Sequence, residues 1–168
     1  SKEPLRAIYC SPLQRAVNTA RAIAAGHHLE VHIEPYFREL NVGGLEGVAV
    51  SAIAEQVNKL MGPDRPPGAP LARDYRDAFA SLPYIGGEST TDLQQRAWGA
   101  LQNIVKEHPD GTIAVVSHQF VILSIICAVI GLPPSQMNRF RIGVASLSAV
   151  VFDERGSRLS LFNETCYL

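Results

Sequence analysis

Leu5-Arg6-Ala7-Ile8-Tyr9-Cys10-Ser11-Pro12-Leu13-Gln14-Arg15 changes its hydrophobic rhythm partway along. Leu5 to Cys10 is an apolar run of strand length. Beyond it, Leu13, Ala16, Ala20 and Ile23 recur at helical spacing. Two signals sit at the change of rhythm. Ser11 with Gln14 three residues on reads as a capping box, and Pro12 suits a first helical position. The stretch therefore predicts a strand over Leu5–Cys10 and a helix running to about Ala25, where Gly26 stops it.

The same strand-then-helix order returns further on. Thr112 to Ser117 is a β-branched run that reads as a buried strand. His118 follows, and Gln119 to Ile130 is apolar nearly all round, which predicts a buried helix. Between these two units Val31 to Ile33 fits a short strand, Pro35 to Gly47 a loop, and Val50 to Met61 a helix. Gly62 to Pro70 carries four prolines and predicts a surface excursion, and Leu71 to Ala80 a weaker helix. Gly86-Gly87-Glu88-Ser89 leads into a long helix, which Thr91 and Gln94 are expected to cap. Ser146 to Phe152 and Arg158 to Asn163 alternate as strands around a turn at Asp153 to Gly156. The alternation predicts a three-layer α/β/α domain with a mainly parallel sheet, one domain over residues 1–168.

Composition excludes several functions. The chain has 168 residues, 46% of them hydrophobic and 18% charged, with formal net charge −1. That suits a globular core and leaves no global field for nucleic acid or an anionic membrane. The longest apolar run, Phe120 to Leu132, is too short to span a bilayer. Cys10, Cys127 and Cys166 are an odd number with no C-x-x-C spacing, as expected in a reducing, cytoplasmic setting. His27, His28 and His32 share no helical face and Gly26 implies a loop, so no metal site and no cofactor is expected.

In an α/β fold, ligands bind beyond the carboxyl ends of the strands. Arg15 lies in the first turn after one such end, where the helix dipole opposes a cation. Either it points to solvent or pairs with a surface acid, or it holds an anion together with free backbone N–H groups. His118 lies at the second strand end, where an imidazole can supply charge, a nucleophile or a proton. Glu39, in a glycine-bounded loop beside apolar residues, is either a surface acid paired with Arg38 or a proton donor.

Four blocks in order resemble the histidine phosphatase superfamily, the phosphoglycerate-mutase-like proteins. They are Ile8-Tyr9-Cys10-Ser11-Pro12-Leu13-Gln14-Arg15, Arg38-Glu39-Leu40-Asn41-Val42-Gly43-Gly44-Leu45-Glu46-Gly47, Gly86-Gly87-Glu88-Ser89, and Val115-Val116-Ser117-His118 with Ile130-Gly131-Leu132-Pro133 after it. The resemblance implies that Arg15 grips a phosphate, His118 shares its charge, Glu39 protonates the leaving oxygen, and the Gln119 backbone N–H adds a donor. The short span from Glu39 to Glu88 resembles the phosphatase branch. A small phosphorylated substrate or phosphate is the implied ligand.

Three departures stand beside these matches. Arg-His-Gly, the family's phosphorylated histidine segment, occurs nowhere in the 168 residues. Gln119 replaces a glycine, and Tyr167 stands where a histidine is common. The resemblance implies that the segment's central strand is absent and would have lain between Ala7–Cys10 and Thr112–Ser117, leaving two open edges. Three expectations follow: a phosphomonoesterase when complete and inactive as given, a relic that self-associates or exchanges strands at its open edge, or a module that only binds small anions.

Overall fold

The computed structural model describes residues 4–63, 65, 67, 71–73 and 78–166. The chain divides into two compact units, one of Ser1–Glu39 with Gln94–Leu168, the other of Leu40–Leu93.

In the first unit, strand β1 (Leu5–Cys10) leads to helix α1 (Gln14–His27) and strand β2 (Val31–Ile33). Strand β3 (Thr112–Val116) is the third member of a parallel sheet ordered β2-β1-β3. Alternate β1 residues point to opposite faces. Ile8 and Cys10 are fully buried against Val17, Ala20 and Ala24 of α1, in a cluster that Leu5, Ala114 and Val116 extend. Burying each large aliphatic side chain there contributes about 1.5–3 kcal/mol. Tyr9 points the other way and meets the end of the long helix, its hydroxyl 2.9 Å from His108 Nε2.

Two expectations about α1 change. The helix begins at Gln14 with Leu13 as its cap, because Ser11 is still on the sheet: its N–H donates to the Val116 carbonyl at 2.9 Å. Gly26 does not stop the helix. His28 takes the left-handed turn instead (φ 55°), and Gly26 lies in the last helical turn.

The further elements include 3-10 turns at Pro35–Phe37, Gly43–Leu45, Val50–Ala52 and Pro134–Arg139, and helices α2 (Ile53–Met61), α3 (Thr90–Glu107) and α4 (Gln119–Val129). Strands β4 (Leu147–Asp153) and β5 (Gly156–Glu164) form an antiparallel hairpin of their own. The expected cap of α3 moves two residues earlier. Ser89 Oγ accepts from the Asp92 N–H at 3.0 Å, and the Asp92 carboxylate accepts from the Ser89 N–H at 3.4 Å, a reciprocal capping box. Gln94 instead donates to the Ser124 carbonyl on α4 at 2.9 Å. Most of the proline-rich excursion and the centre of the helix expected over Leu71–Ala80 lie outside the described residues. Leu71–Arg73 are not helical, and Phe79–Ile85 form a 3-10 turn.

The expected gap between the first strand and the Thr112 strand is not there. β1 and β3 pair directly, Ile8 opposite Ala114 and Cys10 opposite Val116. Both edges of β1 are thus filled. β3 pairs on one side only among the described residues and is half-buried throughout rather than buried, as suits an edge strand.

In the second unit the chain crosses itself closely. Asn41 N–H donates to a Glu88 carboxylate oxygen at 2.8 Å and the Glu88 N–H returns a bond to the Asn41 carbonyl at 3.0 Å. Beside this crossing a Cβ on Gly43 would stand 2.4 Å from Gly87 N, so only glycine fits. Among the described residues no helix is long and apolar enough to cross a membrane.

Candidate functional site

Direct pairing of β1 with β3 brings their carboxyl ends side by side, and each end feeds a helix start. Arg15 rises from the first turn of α1. His118 is the residue before α4, with extended backbone (φ −127°, ψ 166°). The side chains meet: Arg15 Nε–H donates to His118 Nδ1 at 3.2 Å. His118 Nε2 lies 2.7 Å from the buried Ser11 Oγ. Arg15 is exposed, whereas His118 is only 7% exposed, so the pair links the surface to the interior.

The hydrogen bonds assign the proton of the imidazole. Nδ1 accepts from Arg15 and so carries a lone pair. A neutral ring then bears its hydrogen on Nε2 and donates it to Ser11 Oγ. Burial first, and then the charges of Arg15 and Arg38, push the imidazole down from 6.5 to about 4. At neutral pH the ring is uncharged and lies within the field of two arginines. Two cations beside an uncharged ring at strand ends favour an anion.

Glu39 is half-buried at the end of a segment that two side chains of the same unit hold. Arg96 on α3 donates to the Tyr36 carbonyl and, at 3.3 Å, to the Glu39 carbonyl. Ser117, the residue before His118, donates to the Phe37 carbonyl at 2.9 Å. The backbone around Glu39 is thus tied to the strand end that carries His118. Gln119 opens α4 and is exposed. Of the residues singled out from sequence, Arg15 and His118 are in contact, and Glu39 lies two residues from a carbonyl bonded to the neighbour of His118.

Sequence reasoning passes over Ser11, Ser117 and Arg96. Ser11 reads as a helix cap, and its place at the strand end is the available clue to another role. Ser117 directly precedes the candidate histidine. Nothing local marks Arg96, whose partners are about sixty residues away. The three histidines weighed as metal ligands separate: His27 ends α1, His28 caps it, and His32 packs against the Tyr9 ring at 5.1 Å. Among the described residues no group of three His, Cys, Asp or Glu side chains could hold a metal ion.

Comparison with known proteins places the whole chain. The family model for the histidine phosphatase superfamily (branch 1) matches residues 1–165, running through both units. The chain is 30% identical over 171 residues to phosphoserine phosphatase 1 of Hydrogenobacter thermophilus, covering 100% of this chain and 74% of that protein. A mutant phosphoserine phosphatase from Entamoeba histolytica, solved with phosphoserine, aligns with TM-score 0.68 and 25% identity over 96% of this chain and 75% of its own. YhfR of Bacillus stearothermophilus shares the fold, with TM-score 0.76 at 21% identity over 97% of this chain and 76% of its own. A match of that extent, with Arg15 and His118 meeting at the ends of paired strands, makes this chain a member of the histidine phosphatase superfamily, branch 1.

Proposed function

We propose that Arg15 and His118 form the phosphate-binding floor of a phosphomonoesterase. The single observation that carries this is the 3.2 Å approach of the Arg15 guanidinium to the His118 imidazole above adjacent strand ends. The Arg15 Nη atoms make no hydrogen bond among the described residues and are available to a bound anion. His118, once protonated, shares the charge of the phosphoryl oxygens, and the Gln119 N–H at the start of α4 adds a donor. Glu39 is the proton donor. The resemblance of its block to the family's proton-donating block and the two anchors on its backbone support that role.

In the complete reaction a histidine nitrogen forms a bond to phosphorus as the ester P–O bond breaks, and Glu39 delivers its proton to the leaving oxygen. Water then attacks phosphorus and the P–N bond breaks. Glu39 takes the proton of that water, and inorganic phosphate leaves. This route uses no metal. The 168 residues hold no Arg-His-Gly. On this reading they supply the phosphate grip and the proton donor, and alone turn over no substrate. The phosphoserine phosphatases among the relatives support a small phosphorylated metabolite as the substrate class. Three free cysteines, two of them buried, support a reducing cytoplasmic setting.

The test is binding and turnover together. Sulfate or vanadate at millimolar concentration raises the melting temperature of the chain, and Arg15→Ala or His118→Ala removes the shift. In a chain that also carries an Arg-His-Gly segment each substitution lowers turnover of a phosphomonoester by about 10²–10³-fold, the usual effect of deleting one charge-stabilising donor. Near-normal turnover in both variants overturns the reading.

A second reading has its own observation. β3 is paired on one side only among the described residues, so the chain self-associates there by adding or exchanging a strand. Light scattering that shows a concentration-dependent oligomer supports it. A monomer at every concentration removes it.

A further inference from the structure

The 2.7 Å contact between Ser11 Oγ and His118 Nε2 is the shorter of the imidazole's two hydrogen bonds, and it lies in the interior, where Ser11 has no solvent exposure. Ser11 is itself fixed. Its N–H is tied to the Val116 carbonyl at 2.9 Å, and its Oγ also accepts from the Leu13 N–H at 3.2 Å. One serine thus joins the end of β1, the neighbouring strand β3 and the entry to α1. A hydroxyl oxygen accepting from a backbone N–H on one side is well placed to accept from Nε2–H on the other. We propose that Ser11 is a positioning residue that holds His118 in its Nε2–H form, so that Nδ1 is the ring atom presented to Arg15 and, when an anion arrives, to that anion.

The consequence rests on the anion-site reading given above; the assignment of the proton does not. With Nε2 committed to Ser11, an entering oxyanion displaces the Arg15–Nδ1 hydrogen bond. Nδ1 then becomes a donor only by taking a proton from solvent, so binding takes up one proton. The charged groups that act on the ring are Arg15 from α1 and Arg38 from the segment after β2, both of them cations. They oppose the extra proton until the anion offsets them.

The experiment is long-range proton–nitrogen NMR of the ¹⁵N-histidine-labelled chain at pH 7.5, with sulfate as the probe anion because it stays dianionic through the range used. The wild-type chain is expected to show His118 with a protonated Nε2 and a bare Nδ1. In Ser11→Ala the buried Nε2–H loses its acceptor and only the longer bond from the exposed Arg15 still favours that form, so the two forms mix, while the other histidines and the amide spectrum are unchanged. Ser11→Cys, a weaker acceptor of similar size, falls between. Sulfate affinity is expected to rise up to about tenfold for each unit of pH lowered between 7 and 5, the limit for one proton taken up. A proton on Nδ1 in the wild type, or an undisturbed Nε2–H form in Ser11→Ala, overturns the assignment to Ser11. No sulfate binding at any pH removes the anion reading and leaves the nitrogen spectra to decide the role of Ser11. Binding with no pH dependence overturns the proton uptake alone.

Discussion

His118 shows how one residue couples folding to pH. Its ordinary value of 6.5 is pushed down to about 4, by burial and then by Arg15 and Arg38. Between those values the unfolded chain binds a proton there that the native chain refuses. Stability therefore rises with pH across that window and is lost as pH falls from about 6.5 toward 4. At pH 5 the difference is about 1–2 kcal/mol from this one group. Urea denaturation at pH 7.5 and 5.0 is expected to show that loss, and His118→Gln is expected to flatten it. An equally steep acid loss in the variant would assign the effect to other groups. Arg15 and His118 are legible from sequence because each follows a strand run and opens a helix. Ser11 is not, because serine before a helix is ambiguous between a cap and a polar partner. The sheet register that makes Val116 its neighbour is a long-range fact.

At the scale of elements, strands and helices follow from hydrophobic period, but their ends answer to local hydrogen bonds. The hairpin of β4 and β5 is readable to within two residues at each strand end, with Asp153 and Gly156 paired in the strands rather than in the turn. The start of α3 is misread because Thr91 and Gln94 copy a capping pattern two residues too late. The bonds belong to Ser89 and Asp92. Ser89→Ala is therefore expected to cost about 1 kcal/mol by thermal or urea denaturation, and Thr91→Ala roughly a few tenths. The reverse order would return the cap to Thr91. The Arg96 fork makes a second element-level prediction. A guanidinium reaches two carbonyls from one plane, whereas an ammonium is a single point. Arg96→Lys is expected to speed amide exchange in the Phe37–Glu39 segment and to leave exchange in β1 unchanged. Equal exchange in both regions would show that the fork does not hold the segment.

For the molecule as a whole, the α/β class and the parallel sheet can be read from the order of strand and helix signals. Which strands are neighbours cannot. The expectation of a gap between the first strand and the Thr112 strand fails because pairing is decided by packing among distant segments, and Ile8, Cys10, Ala114 and Val116 pack on one face under α1. The glycines set a last test of how the two compact units divide stability. Gly43 has φ 55°, and a Cβ there would stand 2.4–2.5 Å from the backbone of residues 85–87. Backbone cannot yield as a flexible side chain does. Gly43→Ala is therefore expected to destabilise the unit of Leu40–Leu93 by well over the roughly 1 kcal/mol that alanine ordinarily gains over glycine. Gly26 lies in α1, and a methyl group added there would meet nothing within 4 Å. Gly26→Ala is expected to stabilise by about 0.4–1 kcal/mol. Amide exchange separates the two effects by place. Gly43→Ala raises exchange in α2, Gly26→Ala lowers it in α1 and β1, and neither crosses to the other unit if the units open independently. Exchange rising equally in α2 and β1 for Gly43→Ala would show instead that the two units unfold as one.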